Sequence, residues 1–366
     1  MNERLRELQA AGQSVWIDSL SRDDIQNGDL QSMVEEGVTG VTSNPSIFQK
    51  SISSSSLYDE QLSEVAESED DPKEVFFRLA KQDIRDACEI LRPVYDRTGG
   101  LDGYVSLEVS PDLAYDTGGT INEADRLHEM VGKDNLLVKI PATEAGLPAI
   151  EEMISRGKPI NVTLIFSLDR YRAVAEAYVS GLEKLVASGG DPSKVSSVAS
   201  FFVSRVDSEA DKRLDEAGKP DMKGRLAVAN AKLAYEAFRG IFSGGRWEAL
   251  AAKGANPQRP LWASTSVKDP SYSDLKYVEP LVGDKTVNTM PLETLDATKD
   301  HAEVHPGAIE ENIGEARAVF EELEAAGIDY DDITVVLEKE GVEKFADSFD
   351  ELIGGIKEKS GKVAKS

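Results

Sequence analysis

The chain has 366 residues, 40% of them hydrophobic and 30% charged, a balance typical of a globular protein with a buried core. Its formal net charge of −26 argues against nucleic acid and anionic membranes as partners, because both would be repelled. No stretch has the length and apolar character of a membrane span, and the N-terminus is unlike a signal peptide, so we predict a cytoplasmic protein.

Helical and strand patterns alternate along the chain. A helix at 3–11 precedes a strand at 14–19, a helix at 29–36 and a strand at 38–45 that runs into a loop. Residues 46–97 are helical in two or three pieces. Six further strands are predicted, at 103–109, between Asn135 and Pro141, and at 160–166, 195–203, 260–267 and 286–290. Helices are predicted at 121–132, 144–156 and 167–188, in a longer excursion at 208–254, and in three pieces at 307–359.

Eight short strands alternating with helices favour a closed parallel (β/α)8 TIM barrel over an open doubly wound sheet. We predict one catalytic barrel domain at 1–359, with an N-terminal helix, additional helices and a C-terminal helical extension, followed by a disordered tail at 360–366. The excursion at 208–254 leaves a second domain open, although its amphipathic helices suit packing on a barrel equally well. No glycine-rich dinucleotide loop or Walker-type loop occurs.

Lys139 lies in the apolar run of the fourth predicted strand. Lysine is rarely fully buried unless it is paired or functional. It is therefore either a lysine of an edge strand that reaches solvent, or an amine kept ready for Schiff-base chemistry, since burial favours the uncharged form.

Side chains alternate between the two faces of a strand, so each barrel strand directs one parity inward. Applied to the first six strands, this rule puts polar residues inward near the C-terminal ends, where barrel enzymes place their active sites. They are Asp18, Thr42 with Asn44, Ser106 with Glu108, Lys139, Asn161 with Thr163, and Ser200 alongside Phe202. Any one of these polar residues is easily satisfied by its neighbours, but three buried charges are too costly without a purpose.

An inward lysine between carboxylates indicates an imine-forming lyase or transferase. The amine adds to a ketone, one carboxylate moves protons through water, and the second takes the proton from the hydroxyl whose carbon–carbon bond breaks. The only cysteine, Cys88, lies in step with apolar residues at helical spacing and indicates a core position. The three histidines have no partners at ligand spacing, so no metal site is predicted.

Four segments match a known family in the same order. They are WIDSLSR at 16–22, GVTSNPS at 40–46, LVKIPAT at 137–143 and NVTLIFS at 161–167. Over about residues 10–350 the chain resembles transaldolase of the pentose phosphate pathway, in its longer bacterial form. The resemblance implies transfer of a dihydroxyacetone unit from sedoheptulose 7-phosphate to glyceraldehyde 3-phosphate, giving erythrose 4-phosphate and fructose 6-phosphate, without a cofactor. Sugar phosphates are the expected partners, and the expected assembly is a monomer or homodimer.

The resemblance also implies roles for single residues. Lys139 matches the Schiff-base lysine, Asp18 the acid/base at the cleaved carbon's hydroxyl, and Glu108 with Thr163 the groups that handle the catalytic water. The residues matching those that hold the dihydroxyacetone unit are Asn44, Asn161 and Ser200, and Phe202 resembles the ring that lines the same pocket. Arg205 matches a phosphate-binding arginine and Ser264 a serine that precedes a second arginine; here that cation is Lys268, at altered spacing. Lys268 is therefore either a point charge for phosphate or a solvated loop lysine.

Two other functions stay open. A fructose 6-phosphate aldolase or another imine-forming aldolase would release the dihydroxyacetone unit instead of passing it to an aldose. A sugar-phosphate-binding protein without turnover would use the same pocket, although none of the proposed catalytic positions is missing from the chain.

Overall fold

Eight parallel strands close into a barrel in the computed structural model, which describes the backbone of residues 1–363 and the side chains of residues 1–360. Each strand pairs with the next along the chain, and the last pairs with the first. The strands are β1 (Gln13–Ile17), β2 (Gly40–Val41), β3 (Tyr104–Glu108), β4 (Leu136–Pro141), β5 (Ile160–Ile165), β6 (Ser197–Phe202), β7 (Arg259–Ala263) and β8 (Thr286–Met290). The predicted TIM barrel is confirmed.

Helices surround the barrel. They are α1 (Glu3–Ala10), α2 (Arg22–Gln26), α3 (Asp29–Glu36), α4 (Pro45–Ser54), α5 (Asp59–Ala66), α6 (Pro72–Arg97), α7 (Thr117–Val131), α8 (Gly146–Ser155), α9 (Leu168–Ala187), α10 (Ser204–Glu216), α11 (Leu226–Ile241), α12 (Gly245–Ala251), α13 (Leu292–His301), α14 (Ile313–Ala325) and α15 (Tyr330–Val363). Across residues 1–363, none of these helices combines the length and apolar character that crossing a bilayer requires.

The barrel interior is packed at its N-terminal end. Trp16 fills it, and the indole Nε1 donates to Asp102 Oδ1 over 2.7 Å. Gly40 on the neighbouring strand makes room for the indole, because a Cβ at that position would lie 2.4 Å from the ring. Arg259 Nη2 lies 3.7 Å from the same carboxylate. These contacts pack the N-terminal end of the barrel around Trp16, while the inward-facing charged residues Asp18, Glu108 and Lys139 lie toward the opposite, C-terminal end.

Several boundaries differ from the predicted ones for local reasons. The second strand ends at Val41, because Asn44 already caps α4 by accepting from the Ile47 N–H over 3.0 Å. The seventh strand ends at Ala263, because Ser264 has a left-handed backbone with a φ of 54°. Helix α13 was not predicted. The last helix runs past the expected end near residue 359 to Val363, and residues 364–366 of the predicted tail lie outside the described residues.

The helices of the long excursion pack on the barrel. Asn230 on α11 donates from Nδ2 to the Phe166 carbonyl over 2.8 Å, just after β5. Asp207 on α10 accepts from the Ala227 N–H over 2.7 Å and from the Tyr277 hydroxyl over 2.9 Å. These buried contacts tie both helices to loops of the barrel. Cys88 is buried on α6 as predicted, and burial raises the pKa of its thiol to about 12.

The last helix, α15, reaches from α9 to α4 at the C-terminal end of the barrel, and we call it the closing helix. Near its start, Glu338 pairs with Arg170 at 3.3 Å. Further along, Ser46 Oγ donates to Ser348 Oγ over 2.7 Å. Lys359 then donates to the Ile52 and Ser55 carbonyls over 3.0 and 2.8 Å at the end of α4. The closing helix is therefore fixed along most of its length.

Candidate active site

Lys139 and Glu108 face each other on adjacent strands inside the barrel. They are paired in the register of β3 and β4, and Lys139 Nζ lies 3.0 Å from Glu108 Oε2. The same Nζ donates to the Ser43 carbonyl over 3.0 Å. The residues are only 5% and 8% exposed, respectively. A closed barrel has no edge strand, so the alternative of a lysine that reaches solvent from an edge is wrong, and the predicted buried lysine is confirmed.

Burial dominates the electrostatics of this pair. It raises the pKa of Glu108, and the Lys139 ammonium opposes that rise without cancelling it. The charge of Asp18 lies near enough to raise the pKa of Glu108 further. A carboxyl group of this kind holds a proton more readily than an exposed one, which suits a group that accepts and returns protons.

Asp18 follows β1 at the mouth of the barrel and is half-buried. Thr42 Oγ1 lies 2.6 Å from Asp18 Oδ1 and 2.8 Å from Thr289 Oγ1. Thr42 therefore holds the carboxylate, and Thr289 on β8 contacts the Thr42 hydroxyl in turn. One Asp18 oxygen is occupied in this way, which leaves the other for a ligand.

A cavity of 310 Å³ opens at this end of the barrel and collects most of the predicted site residues. Those on its wall are Asp18, Asn44, Lys139, Thr163, Ser200, Phe202, Arg205, Ser264 and Lys268. Glu108 and Asn161 lie behind the wall. Glu108 contacts Lys139, which lines the cavity, while Asn161 accepts from Ser200 Oγ over 2.7 Å and donates to Ser106 Oγ over 3.0 Å.

A backbone irregularity places Thr163. The pairing of β5 with β6 shifts register between Val162 and Ile165, and Leu164 has a φ of 60°. The predicted strict alternation along this strand is therefore wrong beyond Thr163. Leu164 and Phe166 pack beside Gly341 of the closing helix. Thr163 Oγ1 is buried and has no hydrogen-bond partner among the described residues, which makes it available to a bound molecule.

Arg205 supplies a cation on the first turn of α10. Its guanidinium lies 5.1 Å from the centre of the Phe202 ring. Burial lowers the pKa of Arg205, and the charges of Asp18 and Glu340 oppose that effect. Its Nη1 is buried without a hydrogen-bond partner within the described part of the chain. An unpaired buried donor is costly, so an anion that fills this position would be bound strongly.

Lys268 and Ser264 border the same cavity from the loop after β7. Lys268 Nζ donates to Ser266 Oγ, which orients the ammonium at the cavity wall. Ser264 is held against α10, since the Ser204 N–H donates to its carbonyl over 3.0 Å and the two hydroxyls lie 2.9 Å apart. Lys268 was predicted to be either a point charge for phosphate or a solvated loop lysine. Its place on the cavity wall favours the first interpretation.

The model of the transaldolase/fructose-6-phosphate aldolase family matches residues 15–356. The chain belongs to this family. It is 51% identical to a transaldolase of Frankia alni, with 99% of each chain covered. It is 50% identical to transaldolase 2 of Streptomyces avermitilis over the full length of both chains, and 50% identical to a transaldolase of Mycobacterium marinum over 100% of this chain and 99% of the other. These findings confirm the predicted family and the predicted class, a transferase with transaldolase activity.

Several residues that line the cavity were not predicted as site residues. They are Ala263, Ser266, Thr289, Pro291, Glu293 and Phe345. Thr289 lies on β8, where the alternation used for the first six strands would have found it. Glu293 lies on the unpredicted helix α13. Phe345 comes from the closing helix, and no local pattern indicates that an apolar residue so far along the chain meets Lys139.

Proposed function

We propose that this transaldolase moves a dihydroxyacetone unit from sedoheptulose 7-phosphate to glyceraldehyde 3-phosphate through an imine on Lys139, giving erythrose 4-phosphate and fructose 6-phosphate. The observation that carries the proposal is the buried Lys139–Glu108 pair, 3.0 Å apart, beside a cavity that also contains Asp18 and Arg205. The proposed cytoplasmic location and the monomeric or homodimeric state stay predictions.

Imine formation begins with transfer of the ammonium proton from Lys139 to Glu108, whose carboxyl group holds a proton readily because it is buried. The free amine then adds to the ketone carbon, and the ketone oxygen becomes a hydroxyl. Glu108 returns protons through a water molecule hydrogen-bonded to Thr163 Oγ1. The hydroxyl leaves as water, and the carbon–nitrogen bond becomes an iminium that can accept electrons.

Carbon–carbon cleavage is the task of Asp18. The free carboxylate oxygen takes the proton from the hydroxyl next to the bond that breaks, the aldehyde leaves, and the electrons pass into the iminium to give an enamine. Asn44 and the linked pair Ser200 and Asn161 hold the hydroxyls of the three-carbon unit. Addition to the acceptor aldehyde reverses these steps, and Asp18 returns its proton to the new hydroxyl.

Borohydride trapping tests the imine. It reduces the carbon–nitrogen double bond, so treatment with fructose 6-phosphate and borohydride should leave a stable adduct on Lys139 that mass spectrometry of peptides can locate. A parallel sample without sugar phosphate should show none. A protein that binds fructose 6-phosphate but yields no adduct would contradict the proposal.

The phosphate group of the substrates is assigned to Arg205, Ser264 and Lys268. We expect Arg205→Ala to raise KM for fructose 6-phosphate by about tenfold or more, since a charge-assisted hydrogen bond contributes ~1.5–3 kcal/mol. KM for unphosphorylated fructose should change little. Steady-state kinetics with both donors checks this, and an equal loss with both would remove Arg205 from the phosphate site.

A further inference from the structure

The closing helix brings an aromatic ring to the reacting amine. Phe345 lines the catalytic cavity, and the centre of its ring lies 5.8 Å from Lys139 Nζ. The residue is 7% exposed, so it is a buried part of the cavity wall. At this distance a three-carbon unit attached to Nζ would come into contact with the ring.

The position of the ring is set by a stripe of residues four apart on one face of the helix. Leu337, Gly341, Phe345 and Phe349 are all buried. Gly341 lets the helix approach β5, because an added Cβ would lie 3.0 Å from the Leu164 side chain. On the other side of Phe345, the Phe349 ring packs on Phe76 with centroids 5.7 Å apart. The helix cannot shift at Phe345 without disturbing both contacts.

A transferase that forms an enamine is open to a side reaction at one stage of its cycle. After the aldehyde leaves, the enamine on Lys139 waits for the next aldehyde. If water reaches it, a proton is added to the carbon that lost the aldehyde and the water oxygen is added to the carbon bound to nitrogen. The carbon–nitrogen bond then breaks, so one water molecule is consumed and the products are the free Lys139 amine and dihydroxyacetone. An apolar ring beside the amine keeps out further water that could protonate the enamine, while the water at Thr163 remains for imine formation and hydrolysis.

We propose that Phe345 is a specificity-determining residue that commits the dihydroxyacetone unit to an aldose acceptor by keeping water from the enamine. The inference rests on the proposed function, because it requires the imine on Lys139. The fixed position of the ring distinguishes this role from that of a movable lid, since the closing helix is bound at Arg170, Ser46 and the end of α4.

The test compares transfer with release. Fructose 6-phosphate is supplied with and without erythrose 4-phosphate, and the rates of sedoheptulose 7-phosphate and free dihydroxyacetone formation are measured for the same preparation. In Phe345→Ala the ratio of release to transfer should rise about tenfold. Phe345→Leu keeps much of the apolar volume, so its ratio should rise less; it also serves if the alanine variant folds poorly.

Phe320→Leu is the matched control. The Phe320 ring packs on Tyr330 at the start of the closing helix, with centroids 4.8 Å apart, and it does not border the cavity. Its release-to-transfer ratio should equal that of the unaltered protein. If the two Phe345 variants lose release and transfer in equal proportion, the ring has only a structural role and the inference is wrong. If the unaltered protein shows neither transfer nor a Lys139 adduct, the proposed function itself fails.

Discussion

Lys139→Met is expected to lower the rate of dihydroxyacetone transfer by at least about 10⁴-fold, as removal of a covalent nucleophile typically does. Methionine fills a similar volume without an amine, so no imine can form and borohydride should leave no adduct. The barrel should stay folded, because the rest of its packed interior is unchanged. Transfer assays, peptide mass spectrometry and circular dichroism measure the three effects, and a variant with residual trapping at another lysine would displace Lys139 from its role.

The same variant has a second, electrostatic consequence. Without the Lys139 cation the pKa of Glu108 rises further, because the ammonium that opposed the effect of burial is gone. A carboxyl group with a higher pKa in the folded than in the unfolded state binds more protons when folded. Stability is then lost as pH rises from the ordinary carboxyl range, about 4.3, toward the raised folded value.

Urea unfolding at several pH values measures this consequence. The difference in unfolding free energy between Lys139→Met and the unaltered protein should grow as the pH is raised through the range above about 4.3. Glu108→Gln combined with Lys139→Met is the control, since it has no carboxyl group to titrate and should remove the extra pH dependence. A constant difference across this range would mean that Glu108 is not buried as described.

Asp18→Asn and Glu108→Gln are expected to stop the reaction at different steps. Both should lower the transfer rate about 10²- to 10⁴-fold, the range typical for loss of a general acid or base. Asp18→Asn can form the imine but cannot take the proton needed for cleavage. The adduct that borohydride traps from fructose 6-phosphate should therefore retain all six carbons and the phosphate, whereas the unaltered protein should yield mainly the three-carbon adduct.

Glu108→Gln should instead slow the formation of any adduct. The amide keeps the shape of the carboxyl group but cannot accept the proton of the Lys139 ammonium. Time-resolved trapping followed by intact-protein mass spectrometry separates the two variants. If Asp18→Asn gave the three-carbon adduct at an undiminished rate, cleavage would not depend on Asp18, and the division of tasks between the two carboxylates would be wrong.

The sequence contained most of the information needed for the barrel and for its inward-facing charges. Apolar runs with single polar interruptions predict buried parallel strands, and alternation then determines which face Glu108 and Lys139 occupy. Their pairing follows from the register of two adjacent strands in a closed barrel. The register itself is not a local property, so the 3.0 Å contact between them could only be expected in outline.

Other parts of the site depend on departures from regular structure. The left-handed backbone of Leu164 breaks the alternation in β5 and that of Ser264 ends β7, and neither residue type prefers that conformation. Tertiary contacts must therefore impose it. Lys268 lies in a long loop whose course depends on hydrogen bonds such as that from the Tyr272 hydroxyl to Asp211 Oδ2, 2.7 Å long. Spacing along the chain does not encode such contacts.

The position of the closing helix in the chain affects when the active site is completed during biosynthesis. All eight strands precede the closing helix in the chain, so they can emerge from the ribosome and pair before Phe345 is available to cover the amine. Selective transfer to the acceptor is therefore expected only once the closing helix has docked. A fusion partner or proteolytic cleavage that loosens the closing helix should increase the release of free dihydroxyacetone before it abolishes transfer.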